Sequence, residues 1–243
     1  MSKVNEIVKS ISEEFFRRVS AGQIVDLKQS HQNAQTEIKY KGFGQITLQL
    51  AAMRGGFKSN KWLGFKQVST LKGERLPHSR YTPFPYSAIN YIYNGSSGET
   101  FLITADSQTE ADEKAKEKEP GATFKRHYFF FKFHRLFNVT QTSLAAEYPA
   151  TPGYEIVSDP IKARELFFNK LDPKRVYFEK RLVGFIGASF LTLTRPDKDE
   201  RELVTTWLNK VNEKPAFLYI IASEATKIAE EIINDFKTAK IAV

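Results

Sequence analysis

The run from His127 to Val139 is the part of the sequence whose residue types and spacing best suit a specific chemistry. Phenylalanine dominates its odd positions, and its even positions carry Tyr128, Phe130, Lys132 and His134. Odd and even residues of a strand point to opposite faces. One face, with Phe129, Phe131, Phe133 and Phe137, would therefore cover a core, and the other would combine rings with cations. Rings stack on unpaired bases while cations hold the phosphates. The alternative is a strand that helices bury on both sides.

Other chemistries lack the residues that they need. The sequence has no cysteine, which excludes disulfides, thiolate metal sites and cysteine nucleophiles. It holds no H-E-x-x-H, no G-x-S-x-G and no glycine-rich phosphate loop. The last histidine is His134, and its parity in the strand differs from that of His127. We therefore predict no catalytic residues, no metal, no cofactor and no enzymatic activity.

The charge of the chain is uneven. The net charge is +8, and the first 142 residues carry 21 basic and 13 acidic side chains, against 15 of each in the remainder. A positive field of this kind attracts polyanions and speeds their encounter. The alternative is a generally basic surface that aids solubility. With 41% apolar and 13% aromatic residues, the composition is that of a globular protein and excludes disorder.

Apolar periodicity predicts the elements that would position these residues. Helices are predicted over 3–20 and 43–53, from Pro160 onward, over 182–193 and 200–211, and across 221–236. Strands are predicted at 87–93, 100–104 and 127–139. Asn60 is predicted to cap a short helix carrying Trp62, Phe65 and Val68, in which Trp62 belongs to the core. The polar stretch 28–36 is predicted to be a mobile loop, and the acidic–basic stretch 106–120 a solvated helix or loop.

These elements predict an α+β fold. We expect a small antiparallel sheet flanked by helices in residues 1–145, followed by a mainly helical second domain in residues 146–243. The stretch 145–153, with Pro149 and Pro152, would be the linker. No apolar run approaches the roughly 20 residues that span a bilayer. We therefore expect a cytoplasmic protein with no membrane partner.

Residues 33–42, 60–67 and 137–141 form three blocks whose residue types and order resemble those of the ArdC-type antirestriction family of conjugative plasmids. Residues 33–42, N-A-Q-T-E-I-K-Y-K-G, are similar to the family's N-P-x-T-G-x-x-Y-x-G segment. Residues 60–67, N-K-W-L-G-F-K-Q, are similar to its R-W-[LM]-T-[YF]-x-Q block, and residues 137–141, F-N-V-T-Q, to its F-N-x-x-Q block. Ala34 replaces the family's proline, and Gly64 its threonine. The resemblance implies an N-terminal domain that binds single-stranded DNA without sequence preference.

The resemblance extends into the second half, where the family carries a zinc metallopeptidase domain. Residues 182–191, L-V-G-F-I-G-A-S-F-L, look like the family's L-V-A-E-[LI]-G-A-A-F-L helix. The H-E-x-x-H helix expected between about 160 and 180 is missing, and Glu179 is one residue out of register with the third ligand. The second half thus looks like the remnant of a peptidase that lost its zinc site.

Charge and alternation lead to a set of hypothetical contacts, since the resemblance does not identify which residues touch DNA. Phosphate contacts are assigned to Lys39, Lys41, Arg54, Lys58, Lys61, Lys66, Arg80, Lys132 and Arg135. Base stacking is assigned to Tyr40, Tyr81, Tyr128 and Phe130, with a phosphate hydrogen bond from His134. The predicted function is single-stranded DNA binding for a mobile element, with RNA as a further ligand. The alternative is a pseudo-peptidase interaction module that grips a host restriction or defence protein.

Overall fold

The computed structural model describes residues 3–23, 26–28, 30–153 and 156–241. In chain order the helices are α1 (Lys3–Ser20), α2 (Phe43–Gly55), α3 (Phe65–Thr70), α4 (Gln108–Lys118), α5 (Pro160–Phe168), α6 (Tyr177–Leu191), α7 (Lys198–Glu202), α8 (Val204–Glu213) and α9 (Phe217–Ile241). The strands are β1 (Gln32–Asn33), β2 (Lys61–Gly64), β3 (Thr82–Asn94), β4 (Thr100–Ala105) and β5 (Thr123–Asn138). A 3-10 turn, Val139–Gln141, follows β5.

The five strands form one sheet in the order β1-β2-β5-β3-β4. Strand β2 pairs antiparallel with β5, and β3 pairs antiparallel with β4. The predicted α+β fold, with a sheet flanked by helices and a helical C-terminal part, is confirmed. The sheet is mixed rather than wholly antiparallel, because the two-residue β1 pairs parallel with β2.

The chain divides into two compact units. The larger unit comprises residues 1–84 and 135–243, and the smaller unit comprises residues 85–134. The boundary predicted at 145–146 falls inside the larger unit, and it stays a prediction. In the part of the chain that the structure describes, no helix is both long and apolar enough to cross a membrane.

The helices of the larger unit lie where they were predicted, but several of their ends differ. Helices α1 and α5 begin at the predicted residues, α6 and α9 begin five and four residues earlier than predicted, and the stretch 200–211 is divided between α7 and α8. The apolar stripe of α1 buries Val8, Ile11 and Phe15, and Phe15 lies 6.3 Å from the ring of Phe185 on α6. Gly56 caps the C-terminal end of helix α2, and its left-handed φ of 64° suits a residue without a side chain. The apolar stripe of α6 is buried, and this helix packs against α5 and α9.

The smaller unit contains β4, α4 and most of β3 and β5, and α4 packs on the β3–β4 hairpin. Ser107 begins α4 by accepting a hydrogen bond from the backbone N–H of Glu110 at 3.2 Å. Ala111 and Ala115 of this helix are buried against Tyr91 and Tyr93 of β3. The stretch predicted as a solvated helix or loop is therefore a helix with an alanine face on the sheet and a charged face in solvent.

Two local predictions are wrong. Asn60 does not begin a helix: residues 61–64 form β2, and α3 begins only at Phe65. Pairing with β1 and β5 overrides the helical spacing, although Trp62 is buried as predicted. The prediction of a mobile loop over 28–36 is wrong for the described residues of that stretch, and Gln29 lies outside them. His31 and Gln32 are buried there, and Gln32 begins β1.

Candidate nucleic-acid interface

The sheet of the smaller unit has two different faces. Tyr91, Tyr93 and Ala105 form a core cluster with α4 on one face. Residues alternate between faces, so Asn90 and its partner Thr104, joined by a 2.6 Å side-chain hydrogen bond, lie on the other. We call this second side the open face; it carries Tyr86, Asn90, Leu102, Thr104, Tyr128, Phe130, Lys132 and His134.

Strand β5 brings aromatic rings and a cation together on the open face. The amide of Asn90 donates to the hydroxyl of Tyr128 at 3.0 Å, which anchors that ring to β3. The ring centroids of Tyr128 and Phe130 are 6.1 Å apart, and the Nζ of Lys132 lies 5.0 Å from the Phe130 centroid. Tyr128 is 42% exposed and Phe130 is half-buried. Rings and a cation at this spacing suit stacked bases linked by phosphates.

A second ring pair lies at the other end of the open face. The imidazole of His134 stacks on Tyr86 with centroids 4.3 Å apart and planes 3° from parallel. Burial lowers the pKa of His134 below its ordinary value, so the imidazole is neutral at pH 7. A neutral imidazole donates or accepts one hydrogen bond at each nitrogen and adds no charge at that pH.

The opposite side of β5 departs from the predicted core face. Phe137 is buried and Phe131 and Phe133 are half-buried, but Phe129 is 66% exposed. The alanines of α4 form a core cluster with residues of β3 and β4, and Phe129 is not part of that cluster. Phe129 instead makes an edge contact with His127, with centroids 5.7 Å apart.

The predicted lysines and arginines of the larger unit have different surroundings. Lys58, Lys66 and Arg80 are exposed, and so is Lys39, next to Gln32 in an isolated bridge. Lys41 forms a 2.6 Å ion pair with Glu230, and Arg54 forms a 2.7 Å pair with Glu14. These two pairs neutralise cations that were predicted to contact phosphates.

Two predicted contacts in the larger unit have little open surface. Lys61 pairs with Gln32 in β1 and is only 7% exposed, so little of it is open to a phosphate. Tyr40 is half-buried against Phe84, with centroids 4.8 Å apart, and burial raises the pKa of its phenol. Its ring is therefore not an open stacking platform. Tyr81 is 43% exposed, and the guanidinium of Arg135 lies 5.1 Å from its centroid.

A buried polar network in the larger unit escaped the sequence prediction. The indole N–H of Trp62 donates to His31 Nδ1 at 3.0 Å, and His31 Nε2 lies 2.9 Å from Gln49 Oε1. Nδ1 thus accepts and Nε2 donates, which defines the neutral tautomer. Burial lowers the pKa of His31 to about 4. Gln49 is a polar residue within a helix whose residues 43–52 are all buried, and this is a sequence signal that could have suggested the arrangement.

The motif residues behind the family resemblance have structural roles of the same kind. Asn33 accepts hydrogen bonds from the backbone N–H groups of Gln35 and Thr36, and its amide exchanges two hydrogen bonds with Gln67. Asn138 accepts from the backbone of Thr140 and donates to the carbonyl of Ser59 at 2.8 Å. These side chains close turns and join strands, and their amides are already engaged in the fold.

Comparison with known proteins identifies the family. A protein-family model described as the N-terminal domain of anti-restriction factor ArdC matches residues 4–137, which is more than half of the chain. The chain belongs to the ArdC antirestriction family. A search of the curated proteins found no match.

Two crystal structures of the antirestriction ArdC protein from plasmid R388 share this ArdC fold. The metal-free form superposes with a TM-score of 0.65 at 14% identity, covering 96% of this chain and 98% of the other. The Mn(II)-bound form superposes with a TM-score of 0.60 at 13% identity, covering 95% and 98%. At this identity the likeness establishes the fold alone.

The Mn(II)-bound relative raises the question of whether this ArdC-family chain could hold a metal. Residues 160–180 contain no histidine, and Glu179 pairs with Arg175 at 3.3 Å. Arg164 on α5 instead donates two hydrogen bonds of 2.8 Å to the buried carboxylate of Glu200. Over residues 3–23, 26–28, 30–153 and 156–241, no group of three or more His, Cys, Asp or Glu could hold a metal ion. These side chains do not fit a metallopeptidase centre.

Proposed function

We propose that this ArdC-family chain is a sequence-independent single-stranded DNA-binding protein of a mobile element, such as a plasmid, conjugative element or phage. It would protect or escort transferred or replicating DNA in the cytoplasm. The observation that carries the proposal is the open face, where Tyr128 and Phe130 lie 6.1 Å apart beside Lys132. The family membership and the plasmid origin of the R388 relative favour a mobile element.

The open face suits a single strand better than a duplex. Base stacking on an aromatic ring needs an unstacked base, and in a duplex the base faces are already covered by their neighbours. Each stacked base contributes about 1–3 kcal/mol, without preference for one base over another. Lys132 reaches over the ring of Phe130, where it can meet a phosphate next to a stacked base.

Fluorescence anisotropy tests the proposal directly. A labelled single-stranded oligonucleotide and its duplex would be titrated with the full chain at two salt concentrations, and an RNA oligonucleotide of the same sequence would follow. We expect tighter binding to the single strand, and affinity that falls as salt rises. Binding to neither oligonucleotide at low salt would overturn the proposal and turn the search towards a host or mobile-element protein as partner.

A matched pair of variants links the result to the open face. Tyr128→Ala removes an exposed ring that is held by one side-chain hydrogen bond. Tyr177→Ala is the control, because Tyr177 is also exposed and also has one side-chain hydrogen bond, to Asp199 at 3.1 Å. Tyr128→Ala should weaken single-strand binding about 5- to 100-fold, and Tyr177→Ala should leave it unchanged. Equal effects from the two variants would contradict the role of the open face.

We further propose that the chain has no metal-dependent peptidase activity. The support is the donor set of the helical part, where Arg164 engages Glu200 and Arg175 engages Glu179. A carboxylate whose oxygens are already engaged by a guanidinium group has little capacity left to bind a metal cation. Mass spectrometry of the purified native chain for zinc and manganese tests this, and one metal ion per chain would overturn it.

A further inference from the structure

Residues 65–81 of the larger unit, which we call the basic segment, concentrate positive charge. They carry four lysines and arginines, namely Lys66, Lys72, Arg75 and Arg80, against the single carboxylate of Glu74. The first part of the larger unit is also more positively charged than the smaller unit. Residues 1–84 hold 14 basic and 6 acidic side chains, whereas residues 85–134 hold 6 basic and 7 acidic ones. The charge that an anion meets therefore belongs mainly to the larger unit, and the open face supplies aromatic rings.

Aromatic rings orient two guanidinium groups at the basic segment. The guanidinium carbon of Arg75 lies 5.3 Å from the centroid of Phe65 and 5.6 Å from that of Phe137. The guanidinium of Arg135 lies 5.1 Å from the centroid of Tyr81. A guanidinium held against a ring keeps its N–H donors in a fixed plane, and this fork of donors matches the oxygens of a phosphate.

The backbone of the basic segment is held rigidly to the chain after β5. The N–H of Leu76 donates to the carbonyl of Gln141 at 2.9 Å, and the N–H of Ser143 donates to the carbonyl of Glu74 at 2.9 Å. The side-chain amide of Gln141 donates to the carbonyl of Arg80 at 3.0 Å. Because these bonds exist before any ligand arrives, less ordering is needed on binding.

The cations of this surface have no carboxylate partners. Arg75, Arg80 and Arg135 are exposed, and within the described part of the chain no salt bridge engages any of them. Lys41 and Arg54 differ, since each is paired with a glutamate. Three exposed guanidinium groups that no described salt bridge engages keep their N–H donors available to an anion.

We propose that the basic segment and Arg135 form a phosphate-binding surface for nucleic acid, distinct from the stacking surface of the open face. Its arginines contact the backbone in single and double strands alike, since phosphates carry no information on base or pairing. The rings of Phe65 and Tyr81 position guanidinium groups rather than bases. Arg75 thereby becomes a phosphate contact that neither charge counting nor alternation identified. This inference rests on the proposed nucleic-acid function and names the part of the molecule that supplies its salt dependence.

The test compares two triple variants of the full chain with the same change in charge. One is Arg75→Gln with Arg80→Gln and Arg135→Gln. The other, the control, is Lys162→Gln with Lys174→Gln and Lys214→Gln, three exposed lysines of the helical part. Anisotropy titrations with the single strand and the duplex over a range of salt give the slope of log affinity against log salt. This slope is negative, and each lost phosphate contact reduces its magnitude by about 0.7 for single strands and 0.9 for duplexes.

The arginine triple variant should reduce the magnitude of the slope by roughly 2 for the single strand and by more than about 2 for the duplex. The control should leave both slopes as in the wild type. Arg80→Gln alone should reduce the magnitude of each slope by the amount expected for about one lost contact. Only the backbone carbonyl of Arg80 takes part in the interactions described above, so this variant should fold normally and keeps the test valid if the triple variant folds poorly. Circular dichroism melting would verify folding in each case.

Two results separate this inference from the proposed function. Wild-type slopes in both Arg80→Gln and a folded arginine triple variant would overturn the basic segment as a phosphate surface and indicate an acidic protein as its partner. If Tyr128→Ala still weakened single-strand binding, the proposed function would stand without it. Conversely, if the triple variant lost both oligonucleotides and Tyr128→Ala kept wild-type binding, the phosphate surface would stand and single-strand stacking on the open face would be wrong.

Discussion

The motif residues that carry the likeness to the ArdC family and the residues of the proposed stacking surface lie in different units of the molecule. Asn33, Trp62 and Asn138 belong to the larger unit, where their polar groups bond to other parts of the fold. Tyr128 and Phe130 belong to the smaller unit, on a face that α4 does not cover. A motif match in this chain therefore identifies the architecture, and the binding surface must be found from geometry and charge.

The largest expected contrast between these regions is in stability. Trp62→Ala opens a cavity at a fully buried indole and removes the hydrogen bond to His31, so it should cost about 3–5 kcal/mol in the free energy of unfolding. Tyr128→Ala, at an exposed ring, should cost less than about 0.5 kcal/mol. Urea unfolding of both variants measures the two values. Costs of similar size would remove the distinction between a fold-bearing and a surface region.

The buried network should also make stability depend on pH. The pKa of His31 is about 4 in the fold and near 6.5 when unfolded, so between these values the unfolded chain binds more protons. Its contribution to stability is complete above pH 6.5 and is lost progressively as the pH falls to 4, by on the order of 3 kcal/mol. Unfolding free energies between pH 4 and 7.5 measure this loss.

His31→Gln is the control for that experiment, since glutamine keeps a donor and an acceptor but does not titrate. The two proteins differ at this one side chain, so the difference between the two curves belongs to His31. A wild-type curve parallel to that of the variant would mean that His31 is not held in its neutral form.

Much of the fold follows from local pattern, and the exceptions have a common cause. The spacing of α1 and the alternation of β5 are local, and both were predicted. Residues 61–64 were assigned to a helix because Trp62, Phe65 and Val68 have helical spacing, whereas β1 and β5 capture them as a strand. Pairing with strands distant in sequence is invisible to periodicity.

The candidate site shows the same limit. Alternation assigned Tyr128, Phe130 and Lys132 to one face, and the hydrogen bond from Asn90 to Tyr128 is consistent with that face. Charge alone selected Lys61, which two neighbouring strands enclose, and it missed Arg75. The rings around Arg75 come from Phe65 and from Phe137, which is 62 positions further along the sequence. Such a contact depends on tertiary structure and has no local signature.

Two asparagines, one in each unit, test the same difference in stability with a smaller expected effect. Both Asn33 and Asn90 bond to other side chains, but Asn33 also satisfies two backbone N–H groups of its turn. Asn33→Ala should therefore cost about 1–2 kcal/mol in unfolding free energy, and Asn90→Ala less than about 0.5 kcal/mol. Urea unfolding distinguishes them, and a larger cost for Asn90 would assign a structural role to the open face.

The smallest expected effect concerns binding at the open face. Burial holds the pKa of His134 below its ordinary value, so its imidazole is neutral at pH 7 and gains a charge only as the pH falls well below 6.5. A charge gained next to a phosphate favours the complex by about 0.2–1 kcal/mol at an exposed site. Single-strand affinity should thus rise up to about fivefold between pH 7.5 and 5. His134→Gln removes this titration. The two proteins would be compared by anisotropy at constant salt, and an equal rise in both would show that the proton is taken up elsewhere.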